Sequence, residues 1–361
     1  MADLRGFIRF CEHMSKSTEG NYFQDFAIGQ AIRHAAARTL TSGDSALYTA
    51  LTGNRFAINQ SAIFARNIGY AQRPLDDLLV FHMVFGMTVG DISLNAVANL
   101  GYAGCRFLMP VAAGDTLRAE SEVIGLKEHS NRQAGTVYVR SRAFNQDDAP
   151  VLDYVRWVMV RKGGGERGAP AIVPSLTEMV APSDLGNSCP PIDRKRWDFA
   201  ASGSGQRFDD YQMEEKIDHV DGVTVEEAEH MTAARLYHNM ARVHYNALEE
   251  KSGRFGRRIV YGGHVMSLAR ALSFNGLQNC FHISAINGGR HVAPLFAGHT
   301  VFAWSLIKDK ARLSGRHDIG ALRILTRAMR DQRGGDFPTE AAEEGKPGVV
   351  LELDYWALIP I

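Results

Sequence analysis

Alternating apolar and polar residues mark several strands along the chain. The runs 118–124 and 136–144 alternate, and a turn at 145–150 separates them from the mainly apolar run 151–160. A similar run at 349–356 lies near the end of the chain. Alternation over such lengths is typical of strands with one buried face. The chain is therefore predicted to contain long strands in both of its halves.

Helical segments precede these strands. Segments 45–52 and 226–237 are helix-like, and each is followed by a mainly apolar helix, at 78–89 and at 265–273. Helices grouped before a series of strands indicate an antiparallel sheet that is packed on a central helix. The predicted fold class is therefore α+β.

The order of elements recurs because the chain contains an internal repeat. The run 20–26 recurs at 205–211 with an offset of 185, and 106–116 recurs at 290–300 with an offset of 184. His34 matches His219 in this register, so we interpret both as residues of the fold. Two copies of one domain are predicted, at 18–165 and 203–361. The glycine- and proline-rich segment 166–202 reads as a linker between them.

Composition narrows the class of protein. The 361 residues are 45% hydrophobic, and 40 basic residues balance 40 acidic ones. This balance does not indicate binding to nucleic acid, and no apolar run is long enough to span a membrane. The segment 1–7 lacks a secretion signal and the cysteines are scattered, so a cytoplasmic location is expected. The sequence contains no metal-binding motif, so no metal is expected.

The candidate chemistry lies between residues 239 and 264. Asn239 and His244 are five residues apart, and Tyr261 is followed by Gly262, Gly263 and His264 at the start of a helix. A glycine pair at a helix start leaves backbone N–H groups free for a ligand oxygen, and an imidazole can transfer a proton. This pattern predicts a site that polarises a carbonyl and adds or removes water. The competing interpretation is structural, with a buried histidine, a turn asparagine and glycines required by packing.

These residues resemble the motif of the MaoC-like (R)-specific enoyl-CoA hydratases, which have the hot-dog fold. Asn239 stands where that motif has an aspartate, and His244 keeps the histidine position. The first copy has Asn54 and Asn59 at the matching positions and lacks the histidine. The resemblance implies a double hot-dog, two sheets each wrapped around a central helix, with one degenerate and one competent half.

Longer runs at 48–53, 74–82, 91–107 and 236–245 resemble the mesaconyl-CoA hydratase family, also known as β-methylmalyl-CoA dehydratases. The resemblance implies reversible hydration of mesaconyl-CoA to β-methylmalyl-CoA by a homodimer that needs no separate cofactor, because CoA is part of the substrate. His244 would be the general acid and base, and Asn239 would orient water or substrate. Backbone N–H groups at the helix start would form the oxyanion hole. The full set of expected oxyanion and substrate-binding residues is Tyr261, Gly262, Gly263, His264, Arg242 and Arg290.

Three alternatives remain open from the sequence. An (R)-specific hydratase of unsubstituted enoyl-CoA would have the same site with an apolar acyl pocket, whereas a dicarboxylyl substrate calls for a buried arginine. A hot-dog thioesterase would need a carboxylate near the helix, and Glu249 and Glu250 are the nearest candidates. A non-catalytic acyl-CoA-binding protein is disfavoured because one copy keeps His244.

Overall fold

The structure is a computed structural model that describes residues 16–164 and 171–361. The segment 1–7 and the first part of the predicted linker lie outside this range. A single antiparallel sheet of eleven strands dominates the described part of the chain. The strands are β1 Ala31–Arg33, β2 Arg38–Thr39, β3 Ala96–Phe107, β4 Thr116–Glu128, β5 Ala134–Phe144, β6 Pro150–Arg161, β7 Lys216–Thr224, β8 His282–His291, β9 Thr300–Arg312, β10 Ile319–Arg330 and β11 Gly348–Pro360.

Helices lie mainly before the long strands of each half, as the sequence predicts. They are α1 Ser42–Thr52, α2 Ala57–Gln60, α3 Ala62–Asn67, α4 Asp77–Thr88, α5 Phe199–Ser202, α6 Glu227–Leu236, α7 Arg242–Tyr245, α8 Ala247–Glu250, α9 Gly262–Leu272 and α10 Phe274–Leu277. Single turns of 3-10 helix occur at Phe23–Asp25, Arg194–Arg196 and Phe208–Asp210, a longer one at Pro182–Ser188, and a π-turn at Val89–Ser93.

The strand order shows how the two halves join. It runs β1-β4-β5-β6-β3 through the N-terminal half and continues as β8-β11-β10-β9-β7 through the C-terminal half, which is the same order reversed. Strands β3 and β8 pair with Tyr102 opposite Gly289 and Cys105 opposite Ile286. The two halves therefore share one sheet and are related by an approximate two-fold axis between β3 and β8.

The two central helices meet at this axis. Nε2 of His82 on α4 and Oγ of Ser267 on α9 lie 2.9 Å apart. These residues are themselves repeat equivalents, since 267 minus 82 is the offset of 185. A contact between equivalent residues is expected on a two-fold axis. Nearly all of α4 is buried, because α9, the neighbouring loops and the sheet cover its faces.

Both helix starts differ from the sequence prediction. Helix α4 begins at Asp77 because the Asp76 carboxylate accepts hydrogen bonds from the N–H groups of Leu78 and Leu79. Helix α9 begins at Gly262 and not at residue 265, with Tyr261 as its N-cap. Glycine is unfavourable in helix interiors, but here the glycines occupy the first turn, where close neighbours require them.

His34 and His219 have matching roles in the two halves. Nε2 of His34 contacts Oγ of Ser121, which contacts Ser141. Nε2 of His219 contacts Oγ of Ser305, which contacts Thr326. Both histidines are buried, and each chain of contacts ties the first strand of its half to the sheet. Their interpretation as fold residues agrees with these contacts.

The described part of the linker contacts both halves of the chain. Ile172 pairs with Leu126 on β4 of the N-terminal half. The N–H of Val180 donates to Asn287 on β8 (2.9 Å), and its carbonyl accepts from the indole of Trp356 on β11 (3.2 Å). The linker thus packs across the sheet. Among the helices within residues 16–164 and 171–361, none is long and apolar enough to cross a bilayer.

Candidate active site

His244 lies in the short helix α7, between the N-terminal end of α9 and the sheet. Its Nδ1–H donates to the carbonyl oxygen of Ile259 (3.0 Å). A carbonyl can only accept, so this contact assigns the proton to Nδ1 and leaves the Nε2 lone pair free. The residue as a whole is half-buried, and its ring lies 5.5 Å from the Tyr261 ring, centroid to centroid. A free, oriented imidazole nitrogen is what a general base requires.

The protein around His244 keeps this ring neutral. Burial lowers its pKa from 6.5 to about 4, the Ile259 carbonyl opposes the shift, and the charge on a protonated His230 adds to it. Burial likewise lowers the pKa of His291 to about 4, and neighbouring His244 lowers it further. Both rings are therefore neutral near pH 7, so each has one ring nitrogen that can accept a proton.

Asn239 is buried in the turn before α7. Its Oδ1 accepts a hydrogen bond from the N–H of Ala241 (3.3 Å), which fixes the side chain. Within the described residues no hydrogen bond involves its Nδ2. Gly86 on α4 positions this turn from the other half, because a Cβ added there would overlap the carbonyl oxygen of Tyr237. Asn239 thus has a fixed orientation and a donor to spare.

The start of α9 has no side-chain cap. The N–H of His264 donates to the Tyr261 carbonyl (2.9 Å), so it is used within the first turn. Within the described residues the N–H groups of Gly262 and Gly263 have no such acceptor. Two uncapped donors at the N-terminus of an eleven-residue helix form a favourable place for an oxygen that gains negative charge.

Packing is a second reason why both positions require glycine. A Cβ at Gly262 would overlap the ring of His291, and a Cβ at Gly263 would overlap the ring of Tyr261. The helix start is therefore lined by two rings that approach the backbone closely. Packing therefore requires glycine at both positions whether or not a ligand binds there.

The N-terminal half contributes aromatic residues to this region. Phe85 on α4 lies 5.7 Å from Tyr261 between ring centroids, and Tyr102 on β3 lies 6.0 Å from His291. Nδ1 of His82 lies 3.4 Å from the Tyr261 hydroxyl. The candidate site is therefore built from both halves of the chain.

The equivalent helix start in the N-terminal half is closed. The Asp76 carboxylate caps α4 and also accepts hydrogen bonds from Nδ2 of Asn54 (2.6 Å) and the hydroxyl of Tyr48 (3.1 Å). Burial raises the pKa of Asp76 to about 6, and Asp77 adds to the shift while Arg270 opposes it. An internal carboxylate thus occupies the position that stays open at α9.

Two arginines expected at the site are engaged elsewhere. Nη1 of Arg242 donates to Oδ1 of Asn95 (2.5 Å) in the N-terminal half, so this side chain ties the His244 loop to the other half. Arg290 is exposed and bonds Glu352 (2.6 Å). Successive strand residues face opposite sides, and the next residue, His291, faces the helix start. The structure therefore does not bring Arg290 to the site, and the side chain of Arg242 braces the loop.

Sequence reasoning missed His291 and His230. The repeat contained the signal, because His230, His244, His264 and His291 have Ser45, Asn59, Leu79 and Phe107 as their equivalents in the first copy. These four histidines have no histidine equivalent in the first copy, so they mark positions at which the second copy differs from the first. Tyr237 adds a further contact, with its hydroxyl 3.4 Å from Nδ1 of His264.

Other features lie apart from this region. A cleft of about 360 Å³ is lined by Gly53, Arg55 and Leu272 among others, near the turn that carries Asn54. His244 does not line it. In the part of the chain that the structure describes, no group of three or more histidine, cysteine or acidic residues is placed to hold a metal ion.

Comparison with known proteins gives consistent results. A family model described as mesaconyl-CoA hydratase matches residues 1–163. The chain is 54% identical over 349 residues to a β-methylmalyl-CoA dehydratase of Chloroflexus aurantiacus, which covers 96% of this chain and 99% of the relative. It is 52% identical to a mesaconyl-CoA hydratase of Cereibacter sphaeroides, with the same coverage.

Solved structures agree with the fold. A MaoC domain protein dehydratase from Chloroflexus aurantiacus superposes with a TM-score of 0.91 at 54% identity, over 96% of this chain and 99% of that one. A Mycobacterium tuberculosis protein described as a double hot-dog superposes with a TM-score of 0.72 at 25% identity, over 95% and 99%. The predicted α+β double hot-dog fold is confirmed. The predicted domain boundaries stay a prediction.

Proposed function

Because the chain belongs to the mesaconyl-CoA hydratase family of MaoC-like hydro-lyases, we propose that it catalyses the reversible hydration of mesaconyl-CoA to β-methylmalyl-CoA. The observation that carries this proposal is identity above one half, over 96% of the chain, to two relatives named for the two directions of that reaction. The enzyme is a hydratase, and the proposal concerns its substrate and the residues that act on it.

The thioester carbonyl binds at the start of α9. Its oxygen accepts hydrogen bonds from the N–H groups of Gly262 and Gly263, which have no side-chain cap competing for them. As water adds to the conjugated double bond, negative charge develops on this oxygen, and the helix N-terminus stabilises it. One such donor contributes about 3 kcal/mol to lowering the barrier.

His244 moves the protons. Its free Nε2 takes a proton from water while the water oxygen bonds to the β-carbon, and the double-bond electrons move towards the thioester oxygen. The imidazolium then returns a proton to the α-carbon, which restores the thioester carbonyl. The fixed Nδ1–H bond to Ile259 supports this role because it keeps Nε2 unprotonated and oriented.

Asn239 cannot titrate, so it does not act as a second base. Its side chain is fixed by the Ala241 N–H, and its amide group orients the attacking water or the substrate. The proton transfers therefore rest on His244 alone.

The test follows loss of conjugated thioester absorbance after purified enzyme is mixed with mesaconyl-CoA, with crotonyl-CoA in parallel. Loss with mesaconyl-CoA is the expected result. Loss with crotonyl-CoA alone would move the enzyme to hydratases of unsubstituted enoyl-CoA. Release of free CoA without hydration would indicate a thioesterase. No reaction with either substrate would indicate a non-catalytic binding protein.

We further propose that the enzyme works as a cytoplasmic homodimer without a separate cofactor. Light scattering after size exclusion tests the assembly, and a monomer mass would contradict it. Activity that survives dialysis against a chelator supports the absence of a metal requirement.

A further inference from the structure

Arg156 is a fully buried arginine on β6. Its guanidinium lies 4.1 Å from the centroid of the Phe85 ring. It donates to Oγ1 of Thr88 (2.8 Å) and, over 3.3 Å or more, to Oγ of Ser93, and its Nε has no hydrogen-bond partner. Among residues 16–164 and 171–361 it forms no ion pair with a carboxylate.

A buried cation without an anion is costly, because hydroxyl groups and an aromatic face replace only part of its hydration. Two further polar groups near it share this condition. The hydroxyls of Tyr102 and Tyr154 are buried, and within the described residues neither forms a hydrogen bond of good geometry, although Tyr261 lies near the first and Ser141 and Thr88 lie near the second. Tyr102 lies directly opposite Arg156 in the β3–β6 register. Three unsatisfied donors therefore lie in one region of the interior.

This region adjoins the open start of α9. The Phe85 ring beneath Arg156 contacts Tyr261, the N-cap of that helix (5.7 Å between centroids). Tyr102 contacts His291, whose ring lies against Gly262. Two ring contacts therefore connect the unsatisfied donors to the position proposed for the thioester.

The closed start of α4 provides an internal comparison. There the carboxylate of Asp76 lies within the field of Arg270, a buried arginine supplied by the other half, which favours the ionised carboxylate. Arg270 also donates to the Cys280 carbonyl and to Ser273. At the closed start the arginine and a carboxylate occur together. At the open start Arg156, again supplied by the other half, has no carboxylate.

We infer that Arg156, with the hydroxyls of Tyr102 and Tyr154, receives the free carboxylate of a dicarboxylyl-CoA substrate and so selects it over uncharged enoyl-CoA. This inference rests on the proposed function. It assigns the cationic partner to the N-terminal half, far in sequence from the arginines near the catalytic motif.

The test measures kcat/KM for mesaconyl-CoA and crotonyl-CoA with Arg156→Met and, as the matched control, Arg270→Met. Arg156→Met should lower kcat/KM for mesaconyl-CoA by about 100-fold, the loss expected for a charged hydrogen-bonded group. It should not lower the value for crotonyl-CoA. Its melting temperature should change little, because the loss of the hydrogen bonds to Thr88 and Ser93 is offset by the removal of a buried charge that no carboxylate balances. Arg270→Met should leave the preference between the two substrates unchanged.

An active wild type with an unchanged preference in Arg156→Met would overturn this inference alone. An equal shift of preference in Arg270→Met would overturn it too. A wild type without activity on mesaconyl-CoA would overturn the proposed function and this inference with it. If Arg156→Met fails to fold, Tyr102→Phe decides, because it keeps the ring and removes one donor. It should weaken the preference by about tenfold, and an unchanged preference would contradict the inference.

Discussion

Helix α4 begins beneath the carboxylate of Asp76, whereas helix α9, 185 residues later, begins with Tyr261 and two glycines. The surrounding frame is the same, down to the matching hydrogen bonds of His34 and His219. A change of one N-cap residue therefore separates a helix start that is satisfied by its own chain from one that is open to a ligand. The fold is thus the same in both halves, and the difference between them lies at the helix starts.

The two asparagines show the same contrast. Asn54 bonds to Asp76 (2.6 Å) and to the N–H of Phe56 (2.8 Å), so both ends of its amide group serve the fold. Within the described residues the side chain of Asn239 makes only the second kind of contact, with the N–H of Ala241. In the half that has Asn59 at the position of His244, Asn54 serves the fold, whereas within the described residues the amide group of Asn239 keeps an unused donor.

A substitution at the start of α9 should have the largest effect on the difference between the two halves. Gly262→Ala places a Cβ against His291 and moves the ring or the helix start, so kcat should fall about 10²–10³-fold as an oxyanion donor is misplaced. Initial rates with mesaconyl-CoA measure the effect. Gly90→Ala is the control, because a Cβ there meets no atom within 4 Å. Equal rates for the two variants would refute the role of the α9 start.

The asparagines give opposite outcomes for the same change. Asn239→Ala should lower kcat by up to about 100-fold through a misplaced water, and the free energy of unfolding should fall by about 1 kcal/mol because the N–H of Ala241 loses its acceptor. Asn54→Ala should leave kcat near wild type and lower the free energy of unfolding by about 1.5–3 kcal/mol, because a buried carboxylate loses a donor. Rates and urea unfolding of both variants test this. Identical behaviour would mean that the halves do not differ here.

The pH dependence of the rate distinguishes His244 from a histidine with an ordinary pKa. The base must be neutral, and the pKa of His244 is about 4 and not 6.5. The value of kcat/KM for hydration should therefore stay level as the pH falls through 6.5 and decrease only towards 4. A pH–rate profile measures this, and a decrease centred near 6.5 would contradict the lowered pKa.

The stability of the protein also depends on pH, and it limits the range over which the pH–rate profile can be measured. His219 and His264 are buried with pKa values near 4, against 6.5 for the free side chain. Between pH 6.5 and 4 the unfolded state takes up more protons than the folded state, so the free energy of unfolding decreases as the pH falls. Melting temperatures at each pH separate this loss from the titration of His244. A melting temperature that rises towards pH 4 would be inconsistent with the neutral histidines.

Arg290→Ala should have the smallest effect. Its side chain is exposed and paired with Glu352 on the face away from His291, so kcat/KM should not change. The free energy of unfolding should fall by less than about 1 kcal/mol, as for other surface ion pairs. A clear rise in KM for mesaconyl-CoA would indicate that Arg290 binds the substrate.

Much of the frame follows from local pattern and the repeat. Alternation located the long strands, and the offset of 185 paired His34 with His219. His244 and the glycine pair stood out because helix starts and imidazoles have chemistry that short motifs reveal. Their assignment to catalysis stays a prediction.

The rest depends on contacts between residues far apart in the chain. Gly86, in the N-terminal half, contacts the turn before Asn239 in the C-terminal half. Arg156 and Phe85 approach Tyr261 only because β3 and β8 pair. Proximity in sequence favoured Arg242 and Arg290 because no pattern of apolar residues reports which strands meet across a two-fold axis. The closing of α4 by Asp76 was likewise hidden, since a capping carboxylate and a catalytic one look alike in sequence.

The most direct measurement places asparagine, the residue of the first copy, at the position of His244. In His244→Asn, with Asn59→Ala as the matched change in the other half, hydration of mesaconyl-CoA is followed at saturating substrate. The account predicts that His244→Asn loses about 10²–10⁴-fold in kcat, the contribution of a general acid and base. Asn59→Ala should keep the wild-type rate. A His244→Asn enzyme with wild-type kcat would contradict the assignment of catalysis to the C-terminal half.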